Sequence, residues 1–242
     1  MKAALEQLRL QCSDWDIAIG NSALRLLGSY AELLAEYRLA NVVGTKDRDQ
    51  IIEHHLLDSL SCLRVAALEE AASIVDVGSG GGLPGIPLSI VRPKIEVHLL
   101  EATEKKVRFL EHAQAELKLP NLRVIHARAE EAGCNTRYRE NFDVAITRAL
   151  AQLPVVLEYC APLIRGEGKI ICMKAKLSEE ELQAGEAASS ELQVGLLEEQ
   201  EVEYGPSLLQ KERRLLVFEK ASTTPKTFPR RVGLAKKRPL GT

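Results

Sequence analysis

The chain has 242 residues, 45% of them hydrophobic, and a formal net charge of −2. That length suits one large α/β domain or one domain with a small extension, and no apolar run reaches the roughly 18 residues of a transmembrane helix. The five cysteines are dispersed without a CxxC pair, and residues 1–12 lack the apolar core of a secretory signal, so we expect a cytoplasmic protein with reduced thiols and no metal site.

The first 70 residues are predicted to be helical. Apolar residues recur at helical spacing between Leu24 and Tyr37, and again between Ile51 and Leu60. The intervening residues 41–48 have the composition of a loop. These features predict a helical extension that precedes the main domain.

From residue 73 onward, predicted strands and helices alternate, which indicates a mostly parallel sheet with helices on both faces. Two final strands without a helix between them predict an antiparallel edge hairpin. This arrangement is typical of the Rossmann-like class I methyltransferases that use S-adenosylmethionine (AdoMet). The predicted strands cover 74–77, 95–100, 122–126, 142–147, 169–173, 193–202 and 213–219, and the predicted helices cover 84–91, 103–117, 153–163 and 178–190.

A glycine-rich run follows the first predicted strand and allows two registers. Gly80-x-Gly82-x-x-Gly85 fits the fingerprint of a dinucleotide site. Asp76-x-Gly78-x-Gly80-x-Gly82 has the form found in AdoMet methyltransferases. A carboxylate beside the turn repels a pyrophosphate but tolerates a sulfonium and an amino group. Asp76 therefore favours AdoMet, with Asp76 and Gly78 shaping its methionine pocket.

Further residues are expected to border the same ligand, because ligands collect at the carboxyl ends of the strands. Glu101 ends the second strand, where a carboxylate accepts both ribose hydroxyls; the alternative is an acid favoured by a helix N-terminus. Ala129 and Glu130 follow the third strand and would border the adenine, unless Glu130 lies on a solvated helix face. Leu83 would complete the methionine pocket or serve packing alone.

Arg148 ends the fourth predicted strand, inside the expected cleft. A charge there needs a partner, which Asp76, Glu101, the cofactor carboxylate or a substrate phosphate would provide. The alternative is an ion pair with a structural role.

Two devices of nucleic-acid methylation are missing from the sequence. Amino-group methylation commonly uses an Asn/Asp-Pro-Pro-aromatic element after the fourth strand, where this chain has Thr147-Arg148-Ala149-Leu150. Methylation of pyrimidine C5 needs a thiolate, usually in a Pro-Cys pair, and no such pair occurs. Guanine N7 requires neither device, since its lone pair is nucleophilic and carries no proton. No histidine is needed as a base, and no catalytic residue is assigned.

Charge is distributed unevenly along the C-terminal quarter of the chain. Residues 178–204 carry only glutamates, whereas residues 220–242 carry only lysines and arginines. The acidic stretch is interpreted as a solvated face. The basic tail favours a polyanionic partner over a merely solubilising role.

A set of short motifs spans nearly the whole chain: Arg48, His55 and Asp58-Ser59-Leu60; the run from Asp76 to Pro87; Lys105-Lys106 with Phe109-Leu110; Arg128-Ala129-Glu130; Arg148-Ala149; and Phe228-Pro229-Arg230-Arg231-x-Gly233. In combination they resemble the RsmG (GidB) family. The resemblance implies methyl transfer from AdoMet to N7 of a guanine, called G527 in the family's naming, in the 530 loop of 16S ribosomal RNA. It implies cofactor contacts at Gly78, Leu83, Ala129, Glu130 and Arg148.

The chain departs from the family pattern at three places, one of which is the loop after Gly233. Phe228 stands where the tail usually begins with tyrosine, and Ala175 stands where glycine usually follows the lysine after strand five. These changes concern RNA-facing details, and a phenylalanine ring at position 228 could still stack on a base.

Three regions are therefore predicted: a helical cap over 1–70, an AdoMet-dependent methyltransferase domain over 71–220 and a basic tail over 221–242. We expect a monomer that binds 16S rRNA or the 30S subunit and no membrane. The alternatives are an NAD(P)-dependent oxidoreductase that uses the GxGxxG register and a non-enzymatic rRNA-binding assembly factor. The expected RNA footprint comprises Lys105, Lys106, Lys174, Arg230, Arg231, Lys236, Lys237 and Arg238.

Overall fold

The computed structural model describes residues 1–205 and 212–241. Short runs rich in valine, isoleucine and leucine form its strands, as expected for side chains that pack well on a pleated surface. The strands are β1 Ser73–Val77, β2 Glu96–Glu101, β3 Leu122–His126, β4 Phe142–Arg148, β5 Ile164–Lys174, β6 Val194–Glu201 and β7 Arg214–Lys220.

These seven strands of the described residues form one sheet in the order β3-β2-β1-β4-β5-β7-β6. The first five pair in parallel, and β7 inserts antiparallel between β5 and β6. The predicted fold class, a mostly parallel sheet with an antiparallel edge hairpin, is confirmed. The strand order reverses between β1 and β4, and this is the switch point where ligands of such sheets bind.

Helices cover both faces of the sheet. They are α1 Lys2–Asp14, α2 Asn21–Glu36, α3 Arg48–Gln50, α4 Leu57–Ser61, α5 Ala67–Glu70, α6 Gly85–Val91, α7 Glu104–Leu117, α8 Ala129–Cys134, α9 Leu153–Cys160, α10 Glu179–Leu192 and α11 Leu234–Lys237. A π-helical turn, Ile51–Leu56, joins α3 to α4 without a break. Within the described ranges, none of these helices is long and apolar enough to cross a membrane.

Several predicted boundaries differ from the observed ones for local reasons. The helix after β4 ends at Cys160 rather than at residue 163, because Pro162 has no N–H to continue it. β5 begins at Ile164, five residues before the predicted start, where it pairs with Phe142 ahead of a register shift. Helix α3 begins inside the predicted loop, because the Asp47 side chain accepts the Gln50 N–H as an N-cap at 2.9 Å.

Alternating side chains of β1 enter two hydrophobic cores. Ile74 joins the core that α1, α2 and α4 share with α6 and α7, whereas Val75 and Val77 join the core beneath α9 and α10. The N-terminal helices therefore share one continuous hydrophobic core with the sheet. The borders of the three predicted regions stay a prediction; residues 206–211 and Thr242, which fall within two of them, lie outside the described residues.

Candidate cofactor site

The glycine run forms a tight turn at the carboxyl end of β1. Gly78, Gly80 and Gly82 all have positive φ angles, of 74°, 60° and 87°. Such angles are accessible to glycine without steric cost. A side chain at Gly78 would also collide with Leu150, which follows β4. The turn is thus shaped for close backbone approach between the ends of β1 and β4.

The N-terminal region supports this turn through contacts with Gly81. The Tyr30 hydroxyl, fully buried on α2, donates to the Gly81 carbonyl oxygen. The Val42 carbonyl lies so close to Gly81 that no side chain fits there. The sequence prediction of a separate helical cap did not anticipate this contact, which makes the extension part of the glycine turn's support.

Asp76 lies beneath the turn. Its Oδ2 accepts the Gly85 N–H at 2.9 Å, and its Oδ1 has no hydrogen-bond partner among the described residues. Burial raises the pKa of Asp76 to about 7, against the opposing effects of the Gly85 N–H and the Arg148 charge. An unpartnered buried oxygen of this kind is a reason to expect a polar ligand or water nearby.

Glu101 ties the ends of β1 and β2 together. Its Oε2 accepts the Gly80 N–H at 2.9 Å, and its Oε1 accepts the Thr103 N–H at 2.8 Å. Each carboxylate oxygen retains a lone pair after these bonds. Glu101 also lines the adjoining cavity, so its position is compatible with the predicted acceptance of ribose hydroxyls.

A cavity of about 300 Å³ opens at the carboxyl ends of β1, β2, β3 and β4. Four of the predicted cofactor residues line it: Gly78, Glu101, Ala129 and Glu130. The other lining residues are Val77, Leu100, Ala102, Thr103, Lys106, Ala127, Arg128, Ala149, Leu150, Tyr159 and Lys236.

Five predicted cofactor residues lie behind the cavity wall. The lining does not include Asp76, Gly80, Gly82, Leu83 or Arg148. Gly80 is held by Glu101, Gly82 packs against the Ile86 side chain, and Leu83 is buried in the core on the N-terminal side. The first four of these residues belong to the glycine turn or lie beside it, whereas Arg148 lies at the end of β4.

The end of β4 supplies two wall residues that sequence reasoning missed. Ala149 adopts a left-handed backbone with φ of 52°, and it lines the cavity together with Leu150. A non-glycine residue in this region is strained by about 1 kcal/mol or more and concentrates at functional sites. No feature of the local sequence predicts the strain, since alanine has no preference for this conformation.

Arg148, just before that strained residue, is paired with the N-terminal region. Its Nε lies 3.4 Å from Asp58 Oδ2, and its guanidinium also bonds to His55 and Ser59. Its carboxylate partner is therefore neither Asp76 nor Glu101, as two of the sequence alternatives proposed. The family signature around His55 and Asp58 thus surrounds the end of β4, a role that its sequence position did not reveal.

Glu130 connects the cavity to the basic tail. It is the second residue of α8, buried rather than on a solvated face, and its Oε1 accepts the Gly233 N–H at 2.9 Å. Burial and the hydrogen bond to Glu130 raise the pKa of the Tyr159 hydroxyl above its usual range, so it remains a donor. The tail continues into α11, where Lys236 reaches the cavity.

The predicted RNA-binding cations fall into two groups. Lys105, Arg231, Lys236, Lys237 and Arg238 are exposed, and Lys106 is half-buried at the cavity. Lys174 and Arg230 instead have internal partners: Lys174 donates to Glu181 at 2.6 Å, and Arg230 makes a two-pronged pair with the fully buried Glu158. The Phe228 ring is also buried in the core, so in this structure it is not available to stack on a base.

The thiols do not provide an alternative chemistry. Burial raises the pKa of Cys12 and of Cys172 to about 12, and it raises those of Cys62 and Cys160 above their usual range. Cys134 is exposed and lies outside the cavity lining. Among the described residues, no cluster of histidines, cysteines and acids is placed to hold a metal ion.

The strand order, the glycine turn and the cavity at the switch point define a class I AdoMet-dependent methyltransferase. A predicted O-methyltransferase from Agrobacterium tumefaciens shares the fold, with a TM-score of 0.51 at 22% identity over 68% of this chain and 81% of that chain.

A family model described as rRNA small subunit methyltransferase G matches residues 23–212. Proteins called ribosomal RNA small subunit methyltransferase G align with this chain along almost its whole length. The identity is 43% in Rubrobacter xylanophilus (99% of this chain, 92% of the relative), 38% in Moorella thermoacetica (94% of each) and 35% in Alkaliphilus metalliredigens (95% of each).

The chain therefore belongs to the RsmG (GidB) family of AdoMet-dependent methyltransferases that modify small-subunit ribosomal RNA. The resemblance seen in its motifs is confirmed, as are the predicted enzyme class and cofactor. Membership decides against the oxidoreductase register and against a factor without enzymatic activity.

Proposed function

We propose that the chain transfers the methyl group of AdoMet to N7 of a guanine in the 530 loop of 16S rRNA, the position called G527 in the family's naming. The observation that carries this proposal is the chemistry at the end of β4. The segment there is Thr147-Arg148-Ala149-Leu150, with no amine-methylation element, and the buried thiols have raised pKa values. Guanine N7 is an acceptor atom that needs neither a base nor a thiolate.

The residues present fit AdoMet. Gly78 leaves the wall free of a side chain, and Glu101 presents at the cavity a carboxylate that would accept the ribose hydroxyls. Ala129 and Glu130 form the wall assigned to the adenine. Asp76, Gly80, Gly82 and Leu83 would hold the turn that carries these groups. Arg148 would place positive charge at the end of β4, for the cofactor carboxylate or an RNA phosphate.

When bound, AdoMet supplies an electrophilic methyl carbon: the N7 lone pair forms the new C–N bond, and the C–S electron pair leaves with S-adenosylhomocysteine. The product base carries the positive charge, and no proton is removed. The protein's contribution is therefore to orient the guanine and to exclude water from the cavity mouth. This account agrees with the lack of a histidine among the cavity residues.

The RNA footprint that we propose consists of those predicted cations that have no carboxylate partner among the described residues: Lys105, Lys106, Arg231, Lys236, Lys237 and Arg238. Their charges would bind phosphates and make the affinity fall steeply with salt. Lys174 and Arg230 are left out, because Glu181 and Glu158 already neutralise them. We further propose that the protein acts as a cytoplasmic monomer on the 30S subunit or its RNA.

Mass-spectrometric mapping tests this function. Small subunits from cells that lack the modification are incubated with the protein and AdoMet, and the 16S RNA is then digested and sequenced by mass. We expect one 7-methylguanosine in the 530 loop, and none when AdoMet is omitted. Methylation at another atom or another loop would contradict the proposal, and comparing naked RNA with intact subunits identifies the preferred substrate.

A further inference from the structure

Arg148 is held by the N-terminal helical segment on all of its donor nitrogens. Nη1 donates to the His55 carbonyl at 2.9 Å and to Ser59 Oγ at 3.0 Å, and Nη2 lies 2.7 Å from His55 Nδ1. Because arginine only donates hydrogen bonds, Nδ1 is the acceptor in this last contact. Nε faces Asp58. One turn of π-helix and the helix after it thus specify the orientation of the guanidinium.

Asp58 is the buried centre of this cluster. Its side chain is 1% exposed, and Oδ1 accepts from Arg213 Nε at 2.7 Å and from the Tyr204 hydroxyl at 3.1 Å, while Oδ2 faces Arg148. A buried carboxylate is costly unless it is paired, and here it is paired on both oxygens. The single negative charge of Asp58 is shared between the guanidiniums of Arg148 and Arg213. Part of the positive charge of Arg148 is therefore not neutralised by this pairing.

The positive charge of Arg148 influences the residues of the cofactor site. The Arg148 charge opposes the rise in the pKa of Asp76 that burial causes, so the two groups are within electrostatic range. The residues that follow, Ala149 and Leu150, line the cavity, and Ala149 is in the left-handed region. A strained backbone of this kind persists only where its surroundings hold it. The contacts of Arg148 provide that restraint on one side.

We propose that Asp58 is a positioning residue for methyl transfer: it orients the Arg148 guanidinium and, through it, the wall formed by Ala149 and Leu150. This inference rests on the proposed function, in which Arg148 acts at the cofactor site. Asp58 itself does not line the cavity, so it acts through Arg148.

The test measures AdoMet affinity calorimetrically, without RNA, in a double-mutant cycle of Asp58→Asn and Arg148→Gln. Asparagine keeps the shape of Asp58 but loses its charge and one acceptor oxygen. We expect Asp58→Asn to weaken AdoMet binding about tenfold in the wild-type background and to have no further effect when Arg148 is already glutamine. Non-additivity of this kind identifies action through the shared partner.

Asp143→Asn is the matched control. Asp143 lies on β4 at the opposite end from Arg148, where it accepts hydrogen bonds from Ser73 and pairs with Arg165. Its loss is expected to lower the melting temperature and to leave AdoMet affinity unchanged. If Asp58→Asn fails to fold, Ser59→Ala removes one acceptor from Arg148 while Asp58 stays paired, and a two- to threefold weakening is expected.

The inference is overturned if Asp58→Asn binds AdoMet like the wild type, if its effect is the same in both backgrounds, or if Asp143→Asn weakens binding equally. Undetectable AdoMet binding by the wild-type chain would instead overturn the proposed function, and this inference with it.

Discussion

Gly78 packs directly against Leu150, so closely that a β-carbon at residue 78 would overlap the leucine Cδ1 atom. The contact joins the turn after β1 to the segment after β4, the two strands that border the switch point. Because both residues line the cavity, any change in their separation changes the shape of the cofactor site.

We expect Gly78→Ala to weaken AdoMet binding more than tenfold and to destabilise the fold by about 2–4 kcal/mol, from the positive φ and the overlap together. Gly195→Ala is the control, since that glycine has open space and no positive φ. Calorimetric titration and thermal melts measure the two effects. A Gly78→Ala variant with wild-type affinity would show that the contact does not shape the site.

Asp76 is expected to make the fold less stable as the pH rises. Its pKa is raised to about 7 in the folded protein from 3.8, so the folded state keeps a proton that the unfolded state loses. The contribution of Asp76 to the free energy of unfolding is fully present below about pH 4 and is lost as the pH rises to 7. The loss amounts to about 4 kcal/mol at most. Asp76→Asn removes this titration, so its stability relative to the wild type should increase between pH 4.5 and pH 8. Denaturant unfolding across that pH range measures the difference in stability between the variant and the wild type. A difference that does not change with pH would contradict the raised pKa of Asp76.

Lys236 is expected to contribute to the cofactor site as well as to the RNA surface. Lys236→Ala should weaken AdoMet binding about fivefold without RNA, which corresponds to one hydrogen bond of about 1 kcal/mol. Lys237→Ala provides the comparison, because Lys237 is exposed on the same short helix but does not line the cavity. Equal affinities of the two variants would exclude a cofactor role for Lys236.

Lys237 and Arg238 are expected to bind phosphates. Replacing both with glutamine should reduce the salt dependence of RNA binding by between about 1 and 2 in the slope of log K against log salt, with AdoMet affinity unchanged. The matched variant replaces Lys94 and Lys118, which precede β2 and β3 and so lie at the amino ends of these strands, opposite the end that holds the cavity. Its slope should equal that of the wild type when binding is measured by filter retention from 50 to 300 mM salt.

Arg230 is expected to matter for stability, because it neutralises Glu158, whose side chain is 0% exposed. Arg230→Met leaves that carboxylate buried without its positive partner, although the backbone N–H of residue 230 still donates to it, and should destabilise the fold by about 3–5 kcal/mol. Adding Glu158→Gln removes the stranded charge and should recover much of the loss in melting temperature. A fully stable Arg230→Met variant would return this residue to the list of candidates for RNA contact.

The sequence patterns predicted the sheet well because valine and isoleucine runs, glycine turns and helix periodicity are local signals. They also placed Gly78, Glu101, Ala129 and Glu130 at strand ends, and all four line the cavity, while their contacts with the cofactor stay a prediction. They did not predict the partner of Arg148, since Asp58 is brought to it by the packing of a helix far away in sequence. The burial of Phe228 and the internal pairing of Arg230 were missed for the same reason: composition shows that the tail is basic, but not that it docks.

The docking of the tail determines how it meets RNA. Arg139 donates to the carbonyl oxygens of Gly133, Thr224 and Phe228, and Ala235 and Leu240 are buried in the core. The exposed cations of α11 are therefore presented on a backbone that is already ordered before any nucleic acid arrives. Binding avoids the loss of conformational entropy that a disordered arm incurs when it folds on its target. RNA association should accordingly leave the helical content of the protein unchanged and proceed as contact between two preformed surfaces.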